Sequence, residues 1–280
     1  MSTAFRNLLS PERLTDVVDI GANPIDGQPP YLPMLTERLC RVTGFEPQPD
    51  ALRVLQDKKG PYERYLPHAV GDGDRHTLNI CRGSGMTSLF EPDPASLTLF
   101  EVLQPYAEVL ERVPLDTRRL DDIDEIEHLD YLKIDIQGGE LAVFSNGSGK
   151  LADAVALQTE VSFVSLYKDQ PTLGDIDVEL RRQGFIPHCF AAVKQWPIAP
   201  YVVNDDPRWA LNQLLEADIV YVRDFSRPDS MSDEQLKHLA LIAHHCYGSF
   251  DLATRCVLLL EQRGALEAGA RQRYSEILAG

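Results

Sequence analysis

The strongest constraint on the fold is an alternation of short apolar runs with segments of helical periodicity. TDVVDIG (15–21), RVTGFEP (41–47) and YLKIDIQ (131–137) have the length and composition of strands. YLKIDIQ is mostly apolar, which is typical of a strand buried on both faces of a parallel sheet. The alternation therefore predicts an α/β fold in which a mostly parallel sheet carries helices on both faces.

Further strands are expected in the remaining apolar runs of the first 225 residues. They are RYLPHAVGD (64–72), the two arms HTLNI (76–80) and MTSLFEP (86–92) of an inserted hairpin, AVALQTEVSF (154–163), and a closing pair, GFIPHCFAAV (184–193) with ADIVYVRDF (217–225). Helices are expected between these runs, in PPYLPMLTERLC, GGELAVFSNG and TLGDIDVELRRQG. Asn-Gly and Gly184 end the last two, as helix stops do.

The character of the chain changes after Asp224. SRPDS is interpreted as a linker, and Ser232 with Gln235 has the spacing of a capping box. Three helical segments divided at glycines follow it. We therefore divide the chain into a main domain, 1–225, and a C-terminal helical extension, 226–280. The apolar stripes of these helices are expected to pack on the main domain or to form a homo-oligomer contact.

The charge balance argues against nucleic acid and anionic lipid as partners. The chain has 43 acidic and 27 basic residues and a formal net charge of −16, which repels polyanions on average. No apolar stretch is long enough to span a membrane, and the N-terminus lacks a signal sequence. The five cysteines are scattered and odd in number, as in a reduced, cytoplasmic protein: Cys40, Cys81, Cys189, Cys246 and Cys256.

The loop after the first strand, VVDIGANPIDG (17–27), does not suit a dinucleotide. A dinucleotide-binding turn has the pattern G-x-G-x-x-G and places the pyrophosphate on the next helix N-terminus. Here Gly21 and Gly27 bracket five other residues, and Pro24 biases Asn23 away from the α region. An NAD-dependent oxidoreductase is therefore disfavoured.

Acidic residues close three of the predicted strands: Asp19, Glu46 and Asp135. The carboxyl ends of parallel strands meet at one edge of the sheet, where such folds bind ligands. Carboxylates there would repel a pyrophosphate and suit a cation. S-adenosylmethionine fits, because it carries a sulfonium, an ammonium and a ribose whose hydroxyls a carboxylate can bridge.

An ordered set of motifs resembles the FkbM-type S-adenosylmethionine-dependent methyltransferases over about residues 15–225. The set consists of VVDIGAN, GFEPQPDAL, PHAVGD, GSGMTSL, LKIDIQGGELAVFSNG, EVSFVSLYKDQP, LRRQGF and EADIVYVRD. The resemblance implies a Rossmann-like class I methyltransferase fold, with seven strands of which the last is antiparallel. It also implies S-adenosylmethionine as the cofactor and transfer of a methyl group to a hydroxyl, on a small molecule or a glycan.

The same resemblance implies roles for the residues at the strand ends. Asp19, Gly21, Ala22 and Asn23 would line the methionine part of the cofactor. Glu46, followed by Pro47, would bind the ribose hydroxyls. Ala69 and Val70 would approach the adenine, and Asp135 would lie close to the cofactor as well.

The segment KIDIQGGE matches the family's K-I-D-x-E-G-x-E block at Lys133, Asp135, Gly138 and Glu140. Gln137 departs from it, because the family more often has glutamate there. We expect Ser88, Gln137 and Glu140 to contact the substrate. The departure at Gln137 favours a rival hypothesis, a catalytically inert module that uses the methyltransferase fold for binding or assembly.

Transfer of a methyl group to a hydroxyl needs a group that takes up the hydroxyl proton. Asp135 is our first candidate for this general base, followed by Glu160 and His188. No metal site is expected, because His244 and His245 are adjacent on a helix and point to different faces.

Overall fold

The computed structural model describes residues 2–23 and 27–280. Pro24, which we expect to restrict the first loop, lies outside the described residues. The strands are β1 (Thr15–Ile20), β2 (Cys40–Phe45), β3 (Glu63–Leu66), β4 (Ala69–Gly71), β5 (Arg75–Cys81), β6 (Val109–Arg119), β7 (Tyr131–Ile134), β8 (Ala156–Ser162), β9 (Phe185–Gln195) and β10 (Leu214–Arg223).

Helices separate most of these strands and fill the C-terminal part of the chain. They are α1 (Ser2–Leu9), α2 (Leu32–Thr36), α3 (Pro49–Lys58), α4 (Pro94–Leu99), α5 (Glu140–Ser145), α6 (Ser148–Leu151), α7 (Leu173–Arg182), α8 (Asp233–Tyr247), α9 (Phe250–Gln262) and α10 (Ala270–Ala279). Pro49 in the first turn of α3 and Gly248, left-handed after α8, are ordinary helix start and stop signals.

The central sheet has seven strands in the order β3-β2-β1-β7-β8-β10-β9. The pairs from β3 to β8 are parallel, and β10 runs antiparallel to both β8 and β9. This confirms the predicted Rossmann-like class I methyltransferase fold. The strand order reverses between β1 and β7, which places a crevice at their carboxyl ends, where such sheets bind ligands.

Neighbouring residues of each strand enter different cores, because side chains alternate across a sheet. Val17 of β1 belongs to a core with α1, α2 and α8–α10, whereas Val18 belongs to a core with α5, α6 and α7. β8 is buried along its whole length. The C-terminal helices thus contribute to one of the two layers that cover the sheet. Strands give way to helices near residue 225, but the helices that follow share a hydrophobic core with the sheet.

A second, three-stranded sheet has the order β4-β6-β5. The predicted hairpin of 76–80 with 86–92 is wrong, because β5 pairs antiparallel with β6, and Ser88 makes only an isolated bridge to Asn79. The predicted single strand 64–72 is also wrong, since its residues form β3 in the large sheet and β4 in the small one.

No helix within residues 2–23 and 27–280 is both long enough and apolar enough to cross a membrane.

Candidate functional site

The carboxyl ends of β1, β2 and β7 open into a cleft of about 880 Å³, including its solvent-filled mouth. Most of the residues we expect to bind the cofactor line it: Gly21, Asn23, Glu46, Pro47, Ala69, Val70 and Asp135, with Ser88 and Gln137 on the same cleft. The small sheet forms the opposite wall through Leu78 and Leu115.

Glu46 follows the last residue of β2 and is only 4% exposed. Its Oε1 accepts a hydrogen bond from the Gln48 backbone N–H at 2.8 Å. Burial raises the pKa of Glu46, although the hydrogen bond from Gln48 acts in the other direction. The cleft therefore has a desolvated carboxyl group beside the apolar side chains of Phe45 and Val70.

Gly21 brings the loop after β1 into direct contact with the loop after β7. Its φ is +78°, and a Cβ there would lie 2.0 Å from the carbonyl oxygen of Asp135. A side chain is therefore excluded on both conformational and steric grounds. The close approach keeps the two loops together at the switch point of the sheet.

Lys133 holds the loop after β1 in place through a hydrogen bond to its backbone. Its Nζ donates to the Gly21 carbonyl at 3.3 Å and lies 3.5 Å from Asp19 Oδ1. Burial alone would lower the pKa of Lys133, but Asp19 and Asp135 outweigh it and raise the pKa. Asp19 also accepts a hydrogen bond from Tyr31 Oη at 2.6 Å. Asp19 is thus placed beneath the loop, where it anchors Lys133, and is not among the residues that line the cleft.

Ala22 is likewise turned away from the cleft. It is buried with Leu52 and Leu55 of α3 and with Tyr65 of β3. Its backbone N–H bonds to the Phe45 carbonyl at 3.1 Å. Ala22 therefore ties the first loop to β2.

Two acidic side chains meet through one amide beside the cleft. Gln137 Nε2 donates to Asp135 Oδ1 at 3.0 Å and to Glu160 Oε2 at 2.9 Å. Glu160 is 6% exposed, and burial, followed by the charges of Asp135 and Glu216, raises its pKa. Lys194 Nζ opposes this rise from 3.2 Å away. Asp135 and Glu160, two of the three predicted base candidates, are therefore brought together.

Glu140 begins α5 behind this cluster and is 3% exposed. Its Oε1 accepts backbone hydrogen bonds from Ile136 at 2.9 Å and from Gly138 at 3.3 Å. Burial raises its pKa to about 7. Glu140 thus clamps the loop that carries Gln137, and it is not one of the residues lining the cleft.

His188, the third base candidate, is not brought to the site. It lies on the edge strand β9, where its Nε2 is 2.7 Å from Ser249 Oγ and where burial lowers its pKa. It lines a separate surface depression with Leu173 and Phe190.

Sequence reasoning missed the contributions of Lys194 on β9 and Glu216 on β10, whose side chains form an ion pair at 3.4 Å. The usable signal was the presence of charged residues inside otherwise apolar runs, as in AVALQTEVSF and LLEADIVYV. Buried charges in strands need partners. Within the described parts of the chain, no group of three His, Cys, Asp or Glu side chains is arranged to hold a metal ion.

Comparison of the fold with solved structures gives distant similarities. Magnesium protoporphyrin IX methyltransferase (ChlM) from Synechocystis PCC 6803 shares 11% identity, over 80% of this chain and 79% of that one, with a TM-score of 0.40. Precorrin-6y C5,15-methyltransferase from Geobacter metallireducens shares 10% identity, over 79% of this chain and 87% of that one, with a TM-score of 0.37.

No curated protein has a significantly similar sequence. The model of the methyltransferase FkbM domain, however, matches residues 19–187. That match covers more than half of the chain. It includes β2, β7 and the last two residues of β1, and the cleft lies at the carboxyl ends of these three strands. The chain therefore belongs to the FkbM family of S-adenosylmethionine-dependent methyltransferases.

Proposed function

We propose that the chain transfers a methyl group from S-adenosylmethionine to a hydroxyl of a small molecule or glycan, and that Asp135 is the general base. The observation that carries the proposal is the position of Asp135. It lies directly after β7, its backbone touches Gly21, and it lines the same cleft as Glu46. The Asp135 carboxyl group thus lies on the wall of this cleft, where it contacts the same Gln137 amide as Glu160 does.

The residues of the cleft fit the parts of S-adenosylmethionine. The Glu46 carboxyl suits the two ribose hydroxyls, and Ala69 and Val70 offer an apolar surface for the adenine. The Gly21 loop, whose close approach leaves no room for a side chain, suits the methionine part. When bound, the cofactor supplies a methyl carbon on a sulfonium, which an acceptor oxygen attacks in line as the carbon–sulfur bond breaks.

Asp135 takes the proton that the acceptor hydroxyl loses as the new carbon–oxygen bond forms. The remaining contribution of the protein is positional, since an in-line displacement depends on holding the two reacting atoms in a dry, ordered site. Lys133 and Glu140 serve this purpose by fixing the loops after β1 and β7. We also propose a reducing compartment such as the cytoplasm, which the five free thiols support.

The cofactor assignment is tested by calorimetric titration of the wild-type chain and Glu46→Ala with S-adenosylmethionine. Loss of charge-assisted hydrogen bonds costs roughly 1.5–3 kcal/mol, so we expect at least a tenfold weaker affinity for the variant. Unchanged affinity in a folded Glu46→Ala would remove Glu46 from the cofactor site. Binding of NAD and not S-adenosylmethionine by the wild type would overturn the proposed function.

The base assignment is tested with Asp135→Asn, which keeps the shape of the side chain and removes its charge. At saturating cofactor, with an acceptor found by screening hydroxyl compounds, the rate of methyl transfer should fall by roughly 10²–10⁴-fold. Affinity for S-adenosylmethionine should stay close to that of the wild type. If Asp135→Asn turns over at the wild-type rate, Asp135 is not the base and Glu160 becomes the candidate.

A further inference from the structure

Three other segments of the chain converge on the loop that carries Gln137. Its side-chain amide contacts Asp135 and Glu160, as described above. Its Oε1 accepts a hydrogen bond from Tyr167 Oη at 3.2 Å, and its backbone carbonyl accepts one from Ser88 Oγ at 2.6 Å. Its φ is +56°, a left-handed conformation that is uncommon for a residue other than glycine. The surroundings therefore determine both the backbone and the side chain of Gln137.

The hydrogen-bond pattern fixes which end of the amide faces the acids. An amide has one accepting oxygen and an NH₂ group with two hydrogens. Carboxylate oxygens lie 3.0 and 2.9 Å from one end, and a hydroxyl that can donate lies 3.2 Å from the other. Only the orientation with the NH₂ group toward the acids satisfies all three neighbours. Each hydrogen then has a carboxylate partner.

We infer that Gln137 is a positioning residue whose amide holds the side chains of Asp135 and Glu160 next to each other. This inference rests on the proposed methyl transfer. A glutamate at this position would add a third carboxyl group between the two acids. Like-charged carboxyls in contact share protons, and at least one pKa rises strongly. The glutamine thus bridges the two acids without adding a third ionisable group to them.

Charged groups on every neighbouring element act on this pair. Lys133 on β7 and Lys194 on β9 are cationic, and Glu140 on α5 and Glu216 on β10 are acidic. The phenol of Tyr167 is buried beside the cluster. A substitution at Gln137 leaves all of these charged groups in place. It therefore tests the bridge between Asp135 and Glu160 by itself.

The test replaces the amide by an acid of the same shape, Gln137→Glu. With the acceptor used for Asp135→Asn, the acid limb of the pH profile of kcat should move up by about one pH unit or more, while the affinity for S-adenosylmethionine changes less than twofold. The double variant Gln137→Glu/Glu160→Gln restores two carboxyls and should move the limb back toward the wild type. An acid limb that stays in place in an active Gln137→Glu would overturn the inference and leave the proposed function intact.

A second measurement needs no acceptor. The added carboxyl of Gln137→Glu should have a folded-state pKa above its unfolded value, so its penalty should grow as pH rises. The melting temperature of the variant should therefore fall further below that of the wild type at pH 8 than at pH 5, by about 3 °C or more. Gln56→Glu, at an exposed position on α3, is the matched control and should show a flat difference. Equal, flat differences in both variants would overturn the inference without bearing on cofactor binding.

Discussion

Glu140 shows how one residue can couple the site to pH. Its carboxyl is buried at the start of α5, and its Oε1 holds the backbone of Ile136 and Gly138 on either side of Gln137. A position in the first turn of a helix favours a carboxylate, whereas burial favours the neutral acid. Burial dominates, since the pKa rises from 4.5 to about 7.

This pKa predicts a pH-dependent stability. Because the folded-state pKa exceeds the unfolded one, the contribution of Glu140 is fully present below about pH 4.5 and is lost as pH rises through about 7. The loss amounts to about 3 kcal/mol. Glu140→Gln keeps the accepting oxygen but cannot ionise. The difference in melting temperature between this variant and the wild type should therefore shift in favour of the variant as the pH is raised from 5 to 8.

The matched control for this prediction is Glu261→Gln. Backbone hydrogen bonds from Arg271 and Gly269 lower the pKa of Glu261, so it stays ionised in both states over that pH range and its difference from the wild type should be flat. A flat difference for Glu140→Gln too, in thermal unfolding followed by circular dichroism, would contradict a raised pKa at Glu140.

Among the elements, α8 has the strongest local signal. The predicted capping box is confirmed: Ser232 Oγ accepts from Gln235 N at 3.1 Å, and Gln235 Oε1 accepts from Ser232 N at 2.9 Å. The Gln235 side chain also donates to the Asp153 carbonyl at 3.1 Å, which ties the helix start to the main domain.

Ser232→Ala should lower the free energy of unfolding by about 1 kcal/mol, because it leaves the N-terminal N–H groups of α8 without their cap. Chemical denaturation measures this change. Ser275→Ala, at an exposed interior position of α10, is the control and should be neutral or slightly stabilising, since alanine favours helix interiors. A similar loss in both variants would show that the cap is not the cause.

Among the strands, β6 is one that sequence patterning missed. Most of its residues are partly or fully exposed, and Pro114 lies in the middle of the strand, opposite Thr77. Strands of this kind lack the alternation that reveals a half-buried strand, and proline usually argues against a strand. Its partner β5 was recognised but was assigned to the wrong neighbour, because the correct pairing spans a loop that contains α4.

At the scale of the whole molecule, the C-terminal helices are part of the main core. Leu239 of α8 and Cys256 of α9 are buried in one cluster with Val17, Tyr131 and Val220 of the sheet. Without α8–α10 these strand residues would face water across one side of the central sheet. Soluble domains rarely expose a continuous apolar surface as wide as one face of a central sheet.

A chain that ends at Asp229 should therefore be insoluble, or should bind a dye specific for exposed apolar surface and lack a cooperative thermal transition. The comparison is the full chain under the same conditions, assessed by solubility, dye fluorescence and calorimetry. A truncated chain that remains soluble and melts cooperatively at the temperature of the full chain would show that the helices are dispensable.

The sequence by itself determined the features that local chemistry encodes. Apolar runs and helix caps predicted β1, β2, β7, β8 and the three C-terminal helices, and the family motifs predicted the sheet topology and the cofactor edge. These signals are readable because strand length, capping and the acid at a strand end depend on residues close together in the chain.

Only the tertiary structure decided which distant residues meet. Gln137 lies between Asp135 and Glu160, whereas His188 lies away from the cleft on β9. Asp19 supports a lysine beneath the first loop. Such contacts depend on the order and register of the strands. Long loops can join distant strands at little extra entropic cost, so the same local patterns are compatible with many pairings. Only the packing of the whole chain selects one of them.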